Sequence, residues 1–157
     1  MMTFNPRTLA LLPLLASLAL GLPTAHADDN AAIGRIKRVS GQVTVERGGQ
    51  SLPVQSGMTL QQGDRLRTGA DGAAGLTLND DSLLTAGPNS SLLLSNFSFN
   101  STTYEGALEV NLSSGSLHMV SGLIAKKSPE KVSIKARSVV LGVRGTEFIV
   151  DAPGGDI

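Results

Sequence analysis

EVNLSSGSLHMV, residues 109–120, carries the two signals on which the fold turns. Leu108, Val110 and Leu112 recur at every second position, the period of a strand with one buried face. Ser113-Ser114-Gly115 then supplies turn chemistry, so the stretch reads as a strand ending in a tight turn. Beyond it, alternation places His118 and Met119 on opposite strand faces.

The same period extends outward in both directions. Val43 and Val45, Leu76 and Leu78, Val132, Ile134 and Ala136, and Phe148 and Val150 all alternate with polar neighbours. Between the runs lie Arg47-Gly48-Gly49, Ala70-Asp71-Gly72, Asn79-Asp80-Asp81 and Gly87-Pro88-Asn89, residues that tolerate the positive φ of tight turns. No segment has a convincing helical pattern. Short strands at spacings of roughly ten residues predict a single all-β domain, a β-sandwich or jelly roll. A β-helix-like solenoid is the alternative, set back by the lack of a strict short repeat. With 4 Phe, 1 Tyr and no Trp, the core must be aliphatic. Residues 95–104, SNFSFNSTTY, read as a strand running into an exposed loop, and residues 125–131, AKKSPEK, as a surface loop.

The chain begins with a leader. Arg7 precedes an apolar run over residues 9–22, and Ala25-His26-Ala27 offers small residues where a signal peptidase requires them. The run is interrupted by Pro13 and is shorter than the ~20 residues of a membrane-spanning helix. Residues 1–27 are therefore expected to be a cleaved signal peptide, residues 28–40 a lead-in, residues 41–151 the β-domain and residues 152–157 a tail. A periplasmic or secreted product without a transmembrane anchor is expected.

Removing 27 of 157 residues leaves 130, one domain's worth, and loss of Arg7 takes the formal charge from 0 to −1. No global field favours nucleic acid. The count of 0 cysteines removes disulfides, thiolate nucleophiles and cysteine-based metal sites.

Three pieces line up in order: residues 41–94, starting GQVTVERGGQ; residues 109–120; and residues 140–150, VLGVRGTEFIV. Together they resemble the FecR domain, named for the periplasmic regulator of ferric-citrate uptake. The likeness rests on Gly41-Gln42-Val43, Gly63-Asp64, Thr68-Gly69, the Asp80-Asp81-Ser82 turn, Gly87-Pro88-Asn89-Ser90, and Val143-Arg144-Gly145-Thr146. It implies an exported, non-enzymatic all-β domain of the bacterial envelope that works through protein contacts. Sigma-factor regulators of the family carry a cytoplasmic segment and a membrane helix where this chain has the leader, so iron-citrate signalling does not transfer. Asp81 stands where the family's Asp-Gly-Ser turn has Gly, and can enter the left-handed region at more strain.

Arg144, between Gly142 and Gly145 in an apolar run, is expected to be structural, because a guanidinium is rarely buried unpaired. Asp64 and Asp80, the turn acids that the resemblance picks out, are its candidate partners. The competing reading leaves Arg144 open in a groove for an anionic ligand. Gly63, Gly69 and Gly72, with Gly142 and Gly145, are read as structural turn positions.

No catalytic residue, cofactor site or metal site is expected. His118 is the only His after the leader, and RGGQ and TGADGAAG lack the order of a phosphate-cradling loop. Arg35-Ile36-Lys37-Arg38 and Lys126-Lys127 with Lys131 and Lys135 are solvated faces or surfaces for an acidic partner or envelope polysaccharide. An envelope protein is the expected partner, with Lys126, Lys127, Phe97, Phe99 and Tyr104 as candidate contacts. A carbohydrate or peptidoglycan-binding module is the second reading, weakened by the scarcity of aromatics for sugar stacking.

Overall fold

The computed structural model describes residues 31–143, 147–152 and 154 of the chain. The expected leader lies outside the described residues, as do Arg144, Gly145 and Thr146. Among the described residues twelve strands follow one another: β1 (Ala32–Ser40), β2 (Val43–Arg47), β3 (Gln50–Pro53), β4 (Thr59–Gln61), β5 (Arg65–Thr68), β6 (Ala73–Leu78), β7 (Leu83–Ala86), β8 (Ser91–Phe99), β9 (Gly106–Val120), β10 (Val132–Ala136), β11 (Val139–Gly142) and β12 (Glu147–Ala152). The alternation that announces them is visible as burial: in β6, Ala74, Leu76 and Leu78 point inward while Ala73, Gly75 and Thr77 do not.

All twelve belong to a single curled, mainly antiparallel sheet that forms a half-barrel: nine follow the order β3-β2-β5-β8-β9-β7-β6-β1-β4, while β10 and β12 branch from β9 and β11 pairs with β10. The structure does not show the two separate sheets of the expected sandwich or jelly roll. A parallel solenoid is also ruled out as a description, since only the β9–β10 ladder is parallel among those described.

The reason is β9. Its first half pairs with β8 and β10, and its second half with β7 and β12, so one strand belongs to both halves of the sheet. Ser113-Ser114-Gly115 is therefore not a turn between strands but a bend inside one. Inward residues are Leu108, Val110 and Leu112 before the bend and Leu117 and Met119 after it, a change from even to odd positions. Such a parity change is what a bulge-like corner does to a pleated strand. Gly115 takes φ +82, and a Cβ there would stand 2.2 Å from Ser90 Oγ. The bend is also strapped: Ser90 Oγ donates to the Ser116 carbonyl at 3.1 Å and accepts from its N–H at 3.0 Å. The Ser90 N–H donates to Thr68 Oγ1 at 2.8 Å, and the Thr68 hydroxyl donates to the Gly87 carbonyl at 2.6 Å.

The concave side is closed by one aliphatic cluster, drawing Val45, Leu66, Leu92 and Ile134 from one half and Ile36, Leu60, Leu84 and Met119 from the other. Phe97, Phe99 and Phe148 only lean against it.

Two further expectations change. Residues 32–40 are a strand of the sheet rather than a lead-in, with β1 set between β4 and β6. The register slips between Ile36 and Arg38, so the apolar residues Ile33, Ile36 and Val39 fall three apart and hide the strand from a period-two search. The segment read as a surface loop forms a one-turn helix, α1 (Leu123–Lys127), and a 3-10 turn (Pro129–Lys131). Ile124 of α1 is fully buried and anchors it.

Candidate functional site

Two buried carboxylates organise the turns. Asp64, 2% exposed, accepts from Arg47 Nε at 2.7 Å on Oδ1 and from Arg47 Nη2 at 2.6 Å on Oδ2; Oδ2 also takes the Gln61 N–H at 2.8 Å. Arg47 Nη2 donates as well to the Thr59 carbonyl at 2.9 Å, tying the end of β2 to β4. The hydrogen bond and charge of Asp64 raise the Arg47 guanidinium above its ordinary pKa, against the opposing effect of burial. The guanidinium that holds Asp64 is thus one that the sequence placed in a turn, while Arg144, proposed for that role, lies outside the described residues.

Asp80 is fully buried, and its carboxylate accepts from Ser82 N–H at 3.1 Å and from the Ser82 hydroxyl at 2.8 Å. Ser82 Oγ in turn accepts the Gly122 N–H at 3.0 Å, and the Asp80 carbonyl accepts from Leu123 N–H at 2.7 Å. The turn between β6 and β7 is in this way the dock for the exit of β9. Asp81 sits at φ +65 in that turn. Gly63 lies at φ +86 just before Asp64, and Gly69 and Gly72 close the corner between β5 and β6 against Gln42. Gly142 ends β11, and Gly145 is outside the described residues.

The edges of the sheet differ in kind. β3 and β4 are short, with Pro53 in the former, and β12 carries Glu147 and Asp151; these are common ways of blunting an edge. β11 is as short as β3, at 4 residues, but carries neither Pro nor charge. Among the described residues it pairs only with β10, and Val139, Val140 and Leu141 are 55%, 62% and 37% exposed. An uncharged strand exposed on both faces is the feature of this sheet best suited to receive another strand.

The other candidate contacts gather near the same end. Phe99 pairs with Gly106 at the start of β9, and Tyr104 stacks on it with ring centroids 6.5 Å apart. Phe97 is half-buried, whereas Lys126 and Lys127 are exposed on α1 just ahead of β10. His118 and Met119 do face opposite ways; His118 Nε2 lies 2.8 Å from Glu147 Oε1, bridging β9 to β12. Among the described residues no three His, Cys, Asp or Glu side chains group as a metal site. No helix among them is long and apolar enough to cross a membrane.

A family model described as FecR protein matches residues 64–157, more than half of the chain. No curated protein and no solved structure matches it.

Proposed function

The chain belongs to the FecR family, and from that premise we propose that it is an exported, non-enzymatic interaction module of the bacterial envelope that holds a partner protein along β11. FecR domains are associated with sensing and signalling in that compartment. The observation that carries the reading is the β11 edge, with its three exposed aliphatic residues and one unpaired side among the described residues. An added strand would gain backbone hydrogen bonds there, and Val139 and Leu141 on one face and Val140 on the other would select its side chains. Lys126, Lys127, Phe97, Phe99 and Tyr104 would form a mixed rim for the rest of the partner. The leader, residues 1–27, supports export to the periplasm.

A photo-crosslinking amino acid at Val140, activated in the periplasm, tests this. The expected product is a single partner joined through one extended segment, and it should vanish in Val139→Lys/Leu141→Lys. Crosslinks that persist in the double variant, or a chain recovered only as uncrosslinked monomer, would overturn the assignment.

A further inference from the structure

The convex face of the sheet half containing β2, β5, β8, β9 and β10 carries a cationic furrow, and we propose that it binds a linear acidic polysaccharide through the carboxylates of its sugars. Cross-strand register sets Glu46, Arg65, Leu93, Asn111 and Lys135 in one row across five strands. Arg65 and Lys135 are three strand spacings apart, about 14 Å at the backbone. The shorter side chains of Leu93 and Asn111 between them leave a groove of about 460 Å³, which Ser113 and Arg137 complete. A second depression of about 350 Å³ shares Arg65 and Leu93 and continues the furrow toward Gly48 and Gly49.

Charge on this face is unbalanced. Arg65, Arg67, Lys135 and Arg137 stand against Glu46 and Glu109, a surplus of two positive charges on a chain whose formal total is +0. Glu46 is engaged mainly by Arg67 at 2.5 Å, and its contact with Arg65 is a loose 3.7 Å. Glu109 holds Lys135 at 2.9 Å, which leaves the remaining ammonium hydrogens for a ligand. Arg137 has no ion-pair partner among the described residues.

The placement of Arg137 is an independent sign. It occupies the tight β10–β11 turn at φ +52, a conformation that Gly or Asn adopts with less strain. A residue kept at a strained position, with an unpaired charge at the mouth of a cationic groove, points to a ligand. The lining also selects the class. The Asn111 amide and Ser113 hydroxyl suit a hydroxylated chain, and Leu93 offers an apolar floor for a sugar ring. The furrow borders the β11 edge, Lys135 pairing with Val140, but its test reads glycan affinity and that of the edge reads protein crosslinking, so either assignment can fail without the other.

The test uses the mature chain with oligoalginate, a polyuronate, and measures affinity by calorimetry at low and high salt. Neutral dextran, polyphosphate and phosphatidylglycerol vesicles serve as comparisons. Affinity for oligoalginate should fall as salt rises, and about tenfold in each of Arg137→Asn and Lys135→Gln. Arg137→Asn should leave the melting temperature unchanged or raise it, which separates lost binding from lost fold. Unchanged affinity in both variants, no binding at low salt, or equal affinity for polyphosphate or the vesicles would overturn the proposal.

Discussion

Asp64 accepts two bonds from Arg47 and one from the backbone, so the cost of deleting either partner depends on what stays behind. Arg47→Met leaves a buried carboxylate without its cation and should cost about 3–5 kcal/mol in urea denaturation, whereas Arg47→Met/Asp64→Leu should recover much of that loss. The raised pKa of Arg47 sets the sign of any pH effect. A cation favoured in the folded state contributes fully below its unfolded pKa and loses that contribution as pH rises through the folded one. Stability from this pair is therefore constant from the cation's side through neutral pH and declines only in strong alkali. The Asp81→Gly variant should gain roughly 0.5–1 kcal/mol, because φ +65 suits a residue without Cβ. The placement of Asp64 and Asp80 in turns was legible from the sequence. The partnership with Arg47 was not, because it needs β2 to return beside the turn before β5, a proximity that no local pattern encodes.

At the scale of the element, β9 shows how a single residue alters topology. Gly115→Ala should lose roughly 1–3 kcal/mol from its positive φ alone, with the clash against Ser90 added, and the loss should appear as reduced thermal stability. Val140→Lys on β11 should shift stability by less than about 0.5 kcal/mol while removing partner capture, since its side chain touches solvent rather than core. The strands most readily seen in the sequence, such as β6 and β10, keep strict alternation because one face is buried throughout. β1 was missed where its bulge breaks the period, and α1 because five residues carry too little periodicity to register.

For the whole molecule, the family match begins at Asp64, yet β1 pairs with β6 and β2 with β5 across that boundary. Ile36, Val45 and Leu60, all fully buried, would be lost with the first 63 residues. A chain of residues 64–157 should accordingly fail to give a cooperative unfolding transition, while one starting at Asp28 should give one. Under the proposed export, amino-terminal sequencing of the processed protein should return Asp28. The amino-acid sequence by itself determined the all-β class, the aliphatic core and the positions of most turns, because alternation and turn chemistry act over a few residues. Only the tertiary structure decided that the strands form one curled sheet, that Arg47 neutralises Asp64, and that β11 is the exposed edge. Those outcomes depend on which strands become neighbours, and the neighbours are chosen by burial summed over the whole chain rather than by any short stretch of it.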